Sequence, residues 1–189
     1  MIGDSPRATL GAAPNGSRPA NTVSLALFTP GQLIIGAMDP KGQRVSDIVN
    51  NNTTSYLTLF DAEVQDLVLG GDPKPPVSEL TIRKDALELV VPQDAQPLGR
   101  PQVATRRVGL EVTTSFFRVR GGLHRRESDP TNLVQLMGGY NRQFLPLAEA
   151  TIEHLMREDV RTTAPIVLVN AQHLHSWAAL GSSTGPAPA

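Results

Sequence analysis

The sequence contains no cysteine among its 189 residues, which excludes a disulfide framework, a thiolate nucleophile and a zinc site with cysteine ligands. Charged residues make up only 19% of the chain, and the net charge is −1. A chain with so little net charge has no overall electrostatic attraction to nucleic acid or to a membrane surface. Any binding of that kind therefore requires a local patch of charge.

Long hydrophobic runs are also missing. No window approaches the ~18 consecutive apolar residues that a membrane-spanning helix needs. Residues 1–21 lack the basic start and the apolar run of about 7 to 15 residues that are typical of a secretory signal. We therefore expect a cytoplasmic protein without a membrane span, and the absence of cysteine agrees with that location.

Motifs of several common enzyme classes are absent, because the sequence holds no G-x-S-x-G, Walker or dinucleotide-binding fingerprint. Ser46 and Asp47 form a serine-aspartate pair, but no histidine lies near them in the sequence. His173 and His175 alternate as two metal ligands on a strand would, yet no third ligand is evident nearby. The sequence therefore predicts no catalytic residue, no metal site and no cofactor.

The residues that are present indicate a mainly β protein. Its 16 prolines and 16 glycines divide the chain into short segments, a spacing that favours short strands over long helices. Residues 23–29 and 32–38 flank the turn signal Pro30-Gly31 and predict a hairpin. Residues 55–69 predict a third strand, and residues 78–92 predict one long strand or two, with a bend at Lys84-Asp85.

A pattern in residues 43–64, QRVSDIVNNNTTSYLTLFDAEV, recurs in residues 132–152 as NLVQLMGGYNRQFLPLAEATI. Both stretches read as one helical turn followed by a strand, because apolar residues are spaced i, i+3 and i+4 before they begin to alternate. This order predicts two related small β-barrel-like repeats, each with a short helical turn. The alternative is that any two strand-rich halves resemble each other.

The composition also predicts how the chain is divided. We expect an extended N-terminal tail at residues 1–21, a first β repeat at 22–92, and a linker at 93–105 that is polar and contains two prolines. A second, diverged β repeat is expected at 106–180, with a strand over 113–123 that ends at Gly121-Gly122. Residues 181–189 are expected to form a C-terminal tail.

The helical turn of the first repeat carries the most distinctive motif. Ser46 is placed to cap the turn, Asp47 meets the positive end of the helix dipole, and Asn50 tolerates the left-handed backbone angles that end a helix. Arg44 can pair with Asp47 across the turn. We therefore interpret Arg44, Ser46, Asp47 and Asn50 as a structural turn.

The motif G-x-R-V-S-D-x-V-N, at residues 42–50, is followed by Tyr56-Leu57-Thr58-Leu59-Phe60-Asp61-Ala62. This arrangement resembles a family of small uncharacterised bacterial domains with an R-[LV]-S-D-x-[LV]-N turn, and it is loosely similar to Sm-like small β-barrels. The resemblance covers residues 23–91 well and residues 108–177 only by shape. It implies a fold, here in two copies, and it implies no established activity.

Arginine is concentrated between residues 100 and 126. Three interpretations of this stretch stay open: a solvated strand edge protected by charge, a surface for a protein partner, or a site for nucleic acid or another anionic ligand. Only Phe116 and Phe117 lie nearby to stack on bases. The candidate anion-binding or partner-binding residues are Arg106, Arg107, Arg118, Arg120, His124, Arg125 and Arg126.

The predicted function is therefore a non-enzymatic interaction or assembly subunit that self-associates or joins a larger protein complex. The second copy of the pattern is the more apolar one, and its Leu133, Leu136, Met137 and Tyr140 are expected to be interface or core residues. The alternative is Sm-like binding of nucleic acid or an anionic ligand through the arginine-rich stretch 100–126.

Overall fold

The prediction of a mainly β protein is confirmed. Strands make up 59% and helices 10% of the structure. The computed structural model describes residues 19–70, 74–94, 105–126, 128–129, 132–138 and 142–180. Most of both predicted tails and most of the predicted linker lie outside these ranges, so those three predictions stay untested.

The described residues form ten strands and four short helical segments. The strands are β1 (Val23–Phe28), β2 (Gln32–Met38), β3 (Tyr56–Asp66), β4 (Val77–Arg83), β5 (Leu89–Pro92), β6 (Thr105–Thr113), β7 (Phe117–Arg126), β8 (Phe144–His154), β9 (Arg157–Asn170) and β10 (Ser176–Ala179). The helices are α1 (Val45–Val49) and α2 (Leu133–Gly138), and 3-10 turns occupy Lys84–Ala86 and Ala171–His173. No helix in the described ranges is long and apolar enough to cross a membrane.

All ten strands belong to one antiparallel sheet in the order β10-β6-β7-β8-β9-β5-β1-β2-β3-β4. The sheet is open, because no pairing among the described residues joins β10 to β4. The predicted closed small barrels are therefore not confirmed. Strands β1 to β5 lie in the order β5-β1-β2-β3-β4, strands β6 to β10 lie in the order β10-β6-β7-β8-β9, and the pairing of β5 with β9 joins the two halves.

Two strands of the sheet are bent at bulges. The pairing of β2 with β3 shifts beside Asp61, which has a φ of +50°, and the pairing of β7 with β8 shifts beside Glu149, which has a φ of +48°. Gly36 and Gly121 face these bulges. A Cβ atom on either glycine would lie 3.1 or 3.0 Å from a backbone oxygen of the facing strand, so the close approach of the strands requires glycine.

The buried apolar residues form two clusters, and β5 contributes to both. One cluster is built mainly by β1, β2, β3 and α1 and includes Val90 of β5. The other is built mainly by β6 to β9 and includes Leu89 and Val91 of β5. Because successive strand residues point to opposite faces, the side chains of β5 pack alternately into one cluster and the other.

The strand predicted over residues 113–123 is wrong at both ends. β6 ends at Thr113, and a turn separates it from β7. The backbone N–H of Phe117 donates to Thr114 Oγ1 at 3.1 Å, which stabilises that turn. β7 then continues through Gly121-Gly122 to Arg126, because the two glycines fit the close approach to β8 and to the Arg107 side chain.

Candidate functional site

The candidate arginines lie on β6 and β7, and several of them pair with glutamates of neighbouring strands. Arg120 Nε lies 2.6 Å from Glu111 Oε2 of β6, and Arg120 Nη1 lies 3.5 Å from Glu153 Oε1 of β8. Arg118 bridges the same two glutamates at 3.8 Å. Arg161 of β9 lies 3.5 Å from Glu153. These five side chains form a ladder of alternating charge across four strands, which we call the charge ladder.

The other candidate cations are spread along the same two strands. Arg107 lies against Gly122 and pairs with Glu149 at 2.6 Å. Arg125 is buried, whereas Arg106, His124 and Arg126 are exposed. The structure therefore brings the predicted residues onto one pair of strands, but Glu111, Glu149 and Glu153 offset much of their charge.

The helical turn differs from the prediction in two ways. The predicted Ser46 cap is wrong, because α1 begins at Val45, two residues before a helix capped by Ser46 would begin, with Arg44 at its N-cap and no side-chain hydrogen bond there. Asn50 does end the helix, but its φ of −88° is not left-handed. The side chain of Asn50 instead links the two halves of the chain: its Oδ1 accepts from Phe144 N at 2.8 Å, and its Nδ2 donates to Phe144 O at 3.2 Å.

Lys84, which the sequence places at a bend, is a buried structural residue. Its side chain is 2% exposed, and its Nζ donates to Ile48 O at 2.7 Å, Asn51 O at 2.9 Å and Thr54 Oγ1 at 3.1 Å. Burial lowers the pKa of Lys84. The ammonium group thus gives a further, charged donor to carbonyl oxygens at and just after the C-terminal end of α1, which also accept the backbone N–H groups of Asn51 and Thr54.

Asn170 provides further polar contacts at the junction of β5 and β9. It is fully buried, and its Nδ2 donates to Leu87 O at 2.8 Å and to Lys84 O at 3.3 Å. The backbone N–H of Asn170 donates to Glu88 O at 2.9 Å. The amide side chain therefore fixes the end of β9 against the segment that leads into β5.

Glu88 is also fully buried at this junction. Its Oε2 accepts from Thr114 Oγ1 and from Phe116 N, which lies at 3.3 Å. The backbone N–H of Glu88 donates to Phe28 O. One carboxylate therefore holds the turn between β6 and β7 against the first half of the chain, and no residue spacing in the sequence indicated this role.

The two histidines considered as a metal pair have separate partners. His173 Nε2 lies 2.7 Å from Asp85 O, and His175 Nε2 lies 3.4 Å from Ser115 Oγ. Within the described ranges, no group of three histidine, aspartate or glutamate side chains could hold a metal ion.

His154 lies at the end of β8, beside a groove of about 320 Å³ that also contacts Glu153 and Arg157. It is 4% exposed, and its Nδ1 accepts from Met156 N at 3.2 Å. Burial lowers the pKa of His154 below its ordinary value of 6.5, the nearby Arg157 lowers it further, and Glu88 and Asp159 oppose the shift. The folded protein therefore favours the neutral imidazole.

We expect the stability of the protein to fall when the pH drops below about 6.5, because the unfolded chain then binds a proton at His154 that the folded chain resists. The loss should level off below the lowered pKa of the folded state. Urea midpoints measured above and below the ordinary histidine pKa check this expectation. The His154→Gln variant should lose part of the pH dependence, and an unchanged dependence would contradict this role of His154.

Large apolar side chains are exposed at both ends of the sheet. Tyr56 and Val77 lie at the β4 end, with 54% and 42% exposure, and Trp177 and Leu180 lie at the β10 end, with 39% and 38%. Of the expected interface or core residues, Met137 packs against the core. The side chains of Leu133 and Leu136, and all of Tyr140, lie outside what the structure describes.

These features describe an open sheet with a charge ladder on β6 to β9, a polar junction between its halves and apolar side chains at its two ends. Comparison of the chain with protein families, with curated proteins and with solved structures finds no match.

Proposed function

We propose that this chain is a non-enzymatic assembly subunit, built from two related β units, that associates with itself through the ends of its sheet. The observation that carries the proposal is the pair of open edges, β4 and β10, which expose apolar side chains. Unpaired edge strands present free N–H and C=O groups that favour pairing with another chain.

The proposed relation between the two units is supported by their matching details. In both halves, the turn after the first strand is held by a threonine, Thr29 or Thr114, whose Oγ1 accepts a backbone N–H three residues later. In both halves, a glycine of the second strand faces a bulge with a positive φ on the third. The five strands of each half also follow the same order.

The proposed self-association is supported by where the exposed apolar residues lie. The two edges differ in chemistry, since β4 carries Glu79 and Arg83, whereas β10 reads Ser-Trp-Ala-Ala and carries no charge. Edge strands that stay single are usually protected by charge, proline or cover. The sequence of β10 has neither a charge nor a proline, which favours a partner strand there.

The alternative function, binding of nucleic acid or an anionic ligand through residues 100–126, has weaker support. Arg107, Arg118 and Arg120 already pair with glutamates, and fewer free cations mean fewer phosphate contacts.

The proposed function predicts that the full chain forms assemblies larger than its 20.2 kDa monomer. Size-exclusion chromatography with light scattering over a range of micromolar concentrations measures this mass directly. A fixed monomer mass throughout that range would overturn the proposal. The two proposed functions also differ in their response to salt. The mass of an assembly held by apolar edges should persist as salt increases, whereas the affinity for nucleic acid should fall steeply.

A further inference from the structure

The pairing of β5 with β9 shows how two edges of this kind fit together. Leu89 lies opposite Val169, and Val90 lies opposite Leu168. All four residues are at most 1% exposed. The junction therefore buries apolar side chains on both faces while it satisfies the backbone groups of two strands.

The free edge strand β10 occupies the same position in the second half of the chain as β5 occupies in the first half: each pairs with the first strand of its half. Ser176 lies opposite Thr113, the last residue of β6, as Leu89 lies opposite Phe28, the last residue of β1. Both strands have four residues and follow a 3-10 turn. In this alignment Ser176 corresponds to Leu89, and Trp177 corresponds to Val90.

The other free edge strand, β4, occupies the same position in the first half as β9 occupies in the second half: each pairs with the third strand of its half. Ile82 lies opposite Leu57, the second residue of β3, as Val169 lies opposite Leu145, the second residue of β8. Ile82 therefore corresponds to Val169, and Thr81 corresponds to Leu168.

The residues of the free edges are more exposed than their counterparts at the β5–β9 junction, as expected for strands that lack a partner strand. Trp177 is 39% exposed, whereas its counterpart Val90 is fully buried. Thr81 is exposed, whereas its counterpart Leu168 is buried. The two free edges of one chain are thus the two complementary halves of a contact that the chain already makes once internally.

We infer that the partner of each free edge is a second copy of this chain, with β10 of one copy added antiparallel to β4 of the next. In this pairing Ser176 lies opposite Ile82, and Trp177 lies opposite Thr81. The inference rests on the proposed function and specifies its contact. Because the contact joins two different surfaces, it builds a closed ring if the rotation between copies closes and a filament if it does not.

The predicted register can be tested with introduced thiols, because the native chain has no cysteine. Asn170 N–H donates to the facing residue at Glu88 O, so the next pair, Leu89 and Val169, is a non-hydrogen-bonded pair. The two Cα atoms of such a pair lie about 4.5 Å apart, a distance that suits a disulfide. The corresponding variants are Ser176→Cys and Ile82→Cys. Mixed and mildly oxidised, these two full-length proteins should form a disulfide-linked dimer that contains one copy of each.

The matched control replaces Ile82→Cys with Ser78→Cys, which lies on the same face of β4 but four residues away. It should give no dimer above the level formed by either variant alone. Equal cross-linking of Ser176→Cys to both positions, or cross-linking to neither, would overturn the predicted pairing.

A second pair of variants tests the same contact without thiols. Trp177→Lys places a charge on the β10 edge, which should reduce the assembly mass to that of the monomer. Leu155→Lys changes a side chain of equal exposure, 39%, at the β8–β9 turn and should leave the mass unchanged. If the native chain assembles but Trp177→Lys has no effect and no register-specific disulfide forms, this contact is wrong and the proposed function stands. If the native chain is a monomer, both fail.

Discussion

Replacement of Lys84 by methionine is expected to lower the free energy of unfolding by about 2 to 4 kcal/mol, although the side-chain volume is nearly kept. The loss follows because the charged donor to Ile48 O, Asn51 O and Thr54 Oγ1 is removed, and a hydrogen bond to a charged group contributes about 1.5 to 3 kcal/mol. The cost of burying the ammonium group, which the lowered pKa reflects, offsets part of this loss. Urea unfolding of both proteins measures the difference.

Lys74→Met is the matched control, because Lys74 is exposed and such substitutions stay within about 0.5 kcal/mol. A pH series adds a second test of Lys84. The unfolded chain holds the Lys84 proton up to the ordinary pKa of 10.5, whereas the folded chain releases it earlier. The native protein therefore gains stability from this group as the pH rises toward that value, so the difference from Lys84→Met should widen. A difference that does not change with pH would contradict the burial argument.

The elements of this fold were predictable from local patterns, because each pattern acts within a few residues. Apolar residues at Val45, Ile48 and Val49 predicted one helical turn, and α1 spans Val45–Val49. Pro30-Gly31 predicted the turn between two strands, and β1 and β2 flank it. The strand predicted at residues 55–69 is β3, which spans Tyr56–Asp66.

The arrangement of these elements was not predictable in the same way. Whether a set of short strands closes into barrels or continues as one sheet depends on which edges meet, and that choice depends on contacts between distant residues. The junction relies on two buried side chains with distant partners. Asn170 Nδ2 donates to Leu87 O, 83 residues away in the sequence, and Glu88 Oε2 accepts from Thr114 Oγ1, 26 residues away. No periodicity or spacing carries information of that kind.

The Asn50 side chain shows the same limit of prediction from local patterns. Its sequence context suggested a left-handed helix end, a local role. In the structure, its side chain instead pairs with the backbone of Phe144 in the other half. Asn50 therefore contributes to the join between the halves, a role that depends on a residue 94 positions away in the sequence.

The two bulge-facing glycines are the other feature that only the structure makes visible. An added Cβ on Gly121 would lie 3.0 Å from both Ala148 O and the Cβ of Leu147, and 3.1 Å from the Cβ of Ala150. Backbone and Cβ atoms on the facing strand cannot turn away as the end of a flexible side chain could. The strand must therefore separate, and separation at this point disturbs the bulge at Glu149 and the core beneath it.

We expect Gly121→Val to lower the free energy of unfolding by about 3 kcal/mol, at the upper end of the range for overpacked cores. Gly36→Ala should lower it in the same direction, because its Cβ would lie 3.1 Å from Leu59 and from Phe60 O. Gly31→Ala is the control, since its Cβ would have no neighbour closer than 3.7 Å, and we expect a change within about 0.5 kcal/mol. Urea midpoints compare all three. A Gly121→Val protein as stable as the native one would mean that β7 and β8 are not held at this distance.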